Sequence, residues 1–183
     1  MFVCMTIGIA KLPSRHNIIF SAPESRREPG AALIVTKKKQ SIPFKVAAKS
    51  SRILTTRFFR QHAKLSVMVC YAPTNEASDD VKGEFYKTLH SVASDIPRHD
   101  IACFVGNFNA KIGNDCKYCP QTMGCHGLGN RKENGELLVD FALPNDLAIC
   151  GSCSNTVIST NIPGPLQMAS REIRPYIHKE ELI

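Results

Sequence analysis

No stretch of this chain is long and apolar enough to cross a bilayer, and its apolar opening, MFVCMTIGIA, has no basic residue ahead of it and Lys11 behind it. A spanning helix needs about 20 apolar residues and a secretory leader needs a charged flank, so neither is expected. Acidic residues are in the minority, 16 Asp and Glu against 23 Lys and Arg, for a formal net charge of +7. That balance fits a mildly basic soluble protein or one with an acidic partner, of which nucleic acid is the commonest. There is no internal repeat, no nucleophile-elbow motif and no Ser/His/Asp arrangement. The glycines of His126-Gly127-Leu128-Gly129 read as turn positions, because no Gly-Lys-Ser/Thr follows them. With 43 % hydrophobic and 21 % charged residues, the 183-residue chain has the composition of one globular domain. The expected setting is intracellular, nucleus or cytoplasm, with no membrane partner.

Eight cysteines are scattered along the chain. Cys70 and Cys103 sit inside apolar runs, where a free thiol acts as a small hydrophobe and suits a reducing compartment. Cys116-x-x-Cys119, Cys125-His126 and Cys150-x-x-Cys153 have the local look of zinc knuckles, but their mutual spacing fits no common finger or ribbon.

Strands are expected at Thr6 to Ile9, Ala31 to Thr36, Arg52 to Phe59, Leu65 to Tyr71, Ile101 to Val105 and Leu147 to Cys150, from compact β-branched, apolar runs. Leu12 to Pro29 reads as loop, and Lys37, Lys38 and Lys39 as a solvated hairpin tip. Ser78 is placed to cap a helix whose first turn carries Asp79 and Asp80, with Val81, Phe85, Leu89 and Val92 on its apolar face. A shorter helix runs from Glu136 to Leu143, with Asn134 as its cap and Leu137, Leu138 and Phe141 on one side. A long loop separates Gly106 from Asn134. Helices alternating with strands, plus one hairpin, point to an α/β architecture.

Between Leu65 and Gly151 the chain carries VCYAPTNEA, an acidic-capped helix with EFY, IPRHDIACFVGNFNAKIG, HGLGNRKENGELLVDF and LAICG; SRREPGAALIVTKK and RILTTRFF precede them. In order and spacing these resemble the endonuclease/exonuclease/phosphatase family, in the branch found in non-LTR retrotransposons and craniofacial development protein 2-like chains. The resemblance implies a four-layer α/β sandwich of two mixed β-sheets flanked by helices, incomplete in this chain. Residues 1–153 would be a partial domain of this kind, and 154–183 a divergent, poorly ordered tail. It also implies Mg²⁺-dependent phosphodiester cleavage of nucleic acid.

The same resemblance assigns a site. Tyr71 of the YAP motif corresponds to a tyrosine that reaches the scissile phosphate, and Asn109 to the asparagine of GDFNA that orients it. Asn107 stands where that motif has the aspartate that activates water. An amide neither takes a proton at neutral pH nor carries a charge for a cation. Ala10 and Lys11 occupy the region of the family's metal-binding Glu, and no Asp-His pair appears in the tail; Tyr176-Ile177-His178-Lys179 only faintly resembles a family IHK element. The sequence therefore predicts a truncated, degenerate copy with Tyr71, Asn107 and Asn109 as site residues, poor Mg²⁺ binding and weak, non-specific nucleic-acid binding. The other readings are a non-catalytic basic nucleic-acid-binding module, and an enzyme completed by another chain or segment.

Overall fold

In the computed structural model, residues 5–14, 16–23, 30–36, 42, 44–59, 63–152 and 167–170 are described. Among the described residues, nine strands and two α-helices run in the order β1 (Met5–Lys11), β2 (Asn17–Pro23), β3 (Ala31–Val35), β4 (Phe44–Ser50), β5 (Ile53–Phe59), β6 (Lys64–Tyr71), α1 (Asp79–Ser94), β7 (Ile101–Asn107), α2 (Glu133–Ala142), β8 (Ala148–Ile149) and β9 (Gln167–Ser170). They form a three-stranded sheet, β1-β2-β3, and a six-stranded sheet, β4-β5-β6-β7-β9-β8.

The chain is α/β, with two sheets and flanking helices, as the motifs imply. Only the larger sheet is mixed: β6 and β7 run parallel, joined through α1, and its other pairings are antiparallel. The smaller sheet is antiparallel throughout. Alternation along each strand decides what packs where. On β5, Leu54 joins Ile19, Ala31 and Val35 between the sheets, while its neighbour Ile53 joins Met68, Cys70 and Phe104 under the helices. Among the described residues this makes three layers, with helices on the outer face of the larger sheet.

Several elements differ from the sequence reading. β2 lies inside the stretch expected as loop; its apolar centre, Ile18-Ile19-Phe20, pairs with both β1 and β3, and Ile19 is completely buried. β4 was not expected: its half-buried, exposed alternation is filled out by alanine and lysine and gives little apolar signal. The last strand is β9, from the stretch expected as tail, inserted between β7 and β8. The rest of the tail, with Tyr176 to Lys179, and the lysines 37–39 lie outside the described residues.

Helix α1 turns Lys82, Phe85, Tyr86, Leu89 and Val92 inward, so Lys82 takes the place expected for Val81, which is 45 % exposed. Ser78 occupies the cap position with extended backbone but makes no side-chain cap bond; its carbonyl accepts from the Val81 and Lys82 amides. Helix α2 begins earlier than expected, with Lys132 at its cap position. Asn134 is thus not the cap; it lies within the first turn, buried, and its side chain bonds elsewhere.

A candidate phosphodiester site at the strand ends

Parallel pairing brings two of the expected residues side by side. Tyr71 and Asn107 are partners in the β6–β7 register, at the carboxyl ends of both strands, where ligand sites of open α/β sheets form. Gly106 makes this fit possible. Its φ is +134°, and a Cβ there would meet the Cys70 carbonyl oxygen, so any side chain would push the strands apart. One step further, the Ala72 amide donates to the Asn107 carbonyl at 2.9 Å.

Asn109 is tied into the same corner. Its φ of 48° is a left-handed conformation that asparagine tolerates better than most residues. The Asn109 amide donates to Asn107 Oδ1 at 2.9 Å, closing a tight turn, and Asn109 Nδ2 donates to the Ala72 carbonyl at 2.8 Å. Both carboxamides therefore have defined orientations. Asn107 Oδ1 is engaged by the backbone, and its Nδ2 is the group that the exposed side chain presents outward.

Two residues that sequence reasoning left out of the site complete it. Asn134, 1 % exposed, donates from Nδ2 to the carbonyls of Pro73 and Asn109, at 2.9 and 3.2 Å, bridging the loops that leave β6 and β7. Its amide donates to Asn75 Oδ1 at 3.3 Å, which turns Asn75 toward the helix, and its carbonyl accepts from the Tyr86 hydroxyl at 3.4 Å. Desolvation holds that phenol well above its ordinary pKa, so it remains a donor. Gly135 lets α2 approach this closely, since a Cβ there would strike the Lys111 carbonyl. The other addition is Arg52. Its guanidinium lies 5.6 Å from the Tyr71 ring centroid and donates from Nη1 to the Tyr71 carbonyl at 3.3 Å, while its own carbonyl accepts from the Tyr71 amide at 2.9 Å. Its position immediately before β5, opposite the end of β6, was the available sequence signal.

Glu133 and Asp79, on the first turns of the two helices, accept from Lys82 Nζ at 2.7 and 3.4 Å. The Glu133 hydrogen bond raises the Lys82 pKa first of all, burial opposes it, and the Asp79 hydrogen bond with the two carboxylate charges leaves the net shift upward. Among the described residues, no three His, Cys, Asp or Glu side chains gather as a metal-holding group. Ala10 and Lys11 are exposed at the end of β1, and neither offers a carboxylate. The long loop after β7 is closed by a Cys116–Cys125 disulfide, so Cys116 is not available as half of a zinc knuckle with Cys119. Arg131 braces the loop through the Ile112 and Asp115 carbonyls.

This layering, with the Tyr71–Asn107 corner on the loops leaving β6 and β7, is like that of a solved endonuclease domain. The solved endonuclease domain of TRAS1, a telomere-specific non-LTR retrotransposon, matches 76 % of the chain with a TM-score of 0.52; the match spans 57 % of that domain at 11 % identity, a likeness of fold. In sequence, the chain is 32 % identical over 146 residues to craniofacial development protein 2 of Tragulus javanicus and 32 % over 143 residues to that of Bos taurus. The chain is thus similar in sequence to craniofacial development protein 2 and in fold to an endonuclease domain. These matches cover 79 % and 78 % of the chain but only 25 % and 24 % of the relatives, so it spans about a quarter of their length. No family model matches the chain.

Proposed function

We propose that the chain is a degenerate copy of a Mg²⁺-dependent nucleic-acid phosphodiesterase domain, with little or no cleavage activity and weak, non-specific nucleic-acid binding. The endonuclease-like fold supports a nucleic-acid partner, and such folds are generally Mg²⁺-dependent. The observation that carries the loss of activity is the chemistry of the Asn107 corner. A hard dication is held through oxygen, usually with one or two carboxylates. At the strand ends stand Tyr71, Asn107 and Asn109, and the Asn107 amide oxygen already accepts from Asn109. These residues do not fit Mg²⁺. An amide also cannot serve as general base, a role that contributes about 10²–10⁴-fold. In the proposed setting, nucleus or cytoplasm, the partner is DNA or RNA, and the reducing conditions there would favour the open form of the Cys116–Cys125 link.

The test is nicking of supercoiled plasmid or abasic duplex in Mg²⁺ or Mn²⁺, after rigorous removal of contaminating nucleases. No metal-dependent nicking is expected, and reproducible nicking would overturn the proposal. The alternative, a non-catalytic module that binds nucleic acid through its basic surface, is favoured by the +7 charge. Binding that falls steeply with salt, through counterion release, supports it; absence of binding at low salt contradicts it.

A further inference from the structure

We infer that the strand-end corner is an anion site that holds a nucleic-acid phosphate without a metal ion, with the Arg52 guanidinium as its cation and the Asn107 carboxamide as a second donor. The inference rests on the nucleic-acid reading above and deepens it by naming the residues that take the phosphate.

Three observations converge. The Arg52 guanidinium contacts the Tyr71 carbonyl and ring, and no carboxylate pairs with it among the described residues. By contrast Lys49, Arg57 and Lys82 are each matched to an acid: Asp95, Asp100 and Glu133. A guanidinium has five N–H donors in a planar fork, so one bond to a carbonyl leaves most of the fork free for a phosphate. The Tyr71 ring and carbonyl hold the guanidinium at the strand end, which reduces the entropy lost when the fork engages.

Asn107 supplies the second argument. An aspartate could accept the Asn109 amide with one oxygen and present the other outward as an anion. Asparagine makes the same turn with Oδ1 and presents an N–H₂ donor instead. The substitution that removes an oxygen for a cation thus adds a donor for an anion, on the strand next to Tyr71.

The third argument is exposure. Tyr71 is 37 % exposed and Asn107 is exposed, so a phosphate can reach the donors, while Arg52 is half-buried and held in place.

The test is fluorescence anisotropy of a labelled short DNA duplex with the full chain, in EDTA and in Mg²⁺, across a salt series. The wild type is expected to bind in EDTA. Arg52→Ala should weaken binding about tenfold and lower the salt slope by roughly one, whereas Arg98→Ala, an equal charge loss at an exposed turn, should change it less than about twofold. Asn107→Asp, which keeps the turn, should weaken binding in EDTA as well, by about tenfold. It guards against misfolding of the Arg52 variant. Equal behaviour of Arg52→Ala and Arg98→Ala, tighter EDTA binding by Asn107→Asp, or wild-type binding that EDTA abolishes would each overturn the inference while leaving nucleic-acid binding intact. A wild type that binds no duplex at low salt overturns the inference together with the reading beneath it.

Discussion

Asn134 holds the corner together more than any residue that faces it. Its one NH₂ group serves two carbonyls from different loops, and its backbone serves Asn75 and Tyr86. Its Oδ1 is buried without a hydrogen-bond partner among the described residues. Truncating it strands two carbonyls, so Asn134→Ala is expected to destabilise the fold by about 2–3 kcal/mol in urea denaturation. A loss below about 0.5 kcal/mol would show that the loops hold their places without it. None of this was legible beforehand. An asparagine near a helix start reads as a cap, and only tertiary structure reveals that its partners come from Pro73 and Asn109. Tyr71, Asn107 and Asn109 were legible because YAP and GNFNA are local motifs. Arg52 was seen only as the start of a strand, since its stacking partner lies across the β5–β6 pairing.

At the scale of elements, an ion pair ties the larger sheet together at the end opposite Tyr71. Arg57 on β5 donates through Nε and Nη2 to Asp100 at 2.6 and 2.9 Å, and Ser66 on β6 adds a bond at 3.0 Å. Burial alone would raise the Asp100 pKa, but hydrogen bonds from Arg57 and Ser66, with the charges of Arg57 and His99, bring it below the ordinary value. The carboxylate form is thus favoured by folding. Its contribution is full above the unfolded-state pKa and is lost as pH falls through the lower folded value. Wild-type stability should decline through the acidic range, and Asp100→Asn should be less stable near neutral pH with a flatter acid limb. Parallel pH profiles for the two proteins would contradict this.

The Cys116–Cys125 link constrains a loop with a sequence separation of 9. In the loop-entropy picture, opening it with reductant should cost about 2–3 kcal/mol, read as a shift of the urea midpoint, with Cys116→Ser as the check. An unchanged midpoint would mean that the loop is held by Arg131 and its neighbours. The pairing was not legible from spacing, because eight cysteines allow many partners. Strands were read where apolar runs are dense, as in β3, β5, β6 and β7. β2 was hidden by the Ser, Pro and Arg residues around a short apolar centre, and β9 is a four-residue strand placed by its neighbours rather than by a pattern.

Across the whole molecule, apolar side chains remain at the surface of the smaller sheet: Ile7, Ile9 and Ile34 are 41 %, 57 % and 56 % exposed. Exposed apolar strands favour association. Concentration-dependent self-association is expected in sedimentation velocity and should diminish in an Ile7→Lys, Ile9→Lys double variant, which charges one face of β1; equal behaviour of the two proteins would rule this surface out. The proposed loss of cleavage involves several groups at once, and its direct measurement is a nicking assay on Asn107→Asp beside the wild type. The substitution returns a base and one carboxylate, but Ala10 and Lys11 supply no second, and groups that act together are not repaired one at a time. No Mg²⁺-dependent cleavage above the wild-type background is predicted; robust cleavage by the single variant would contradict the account.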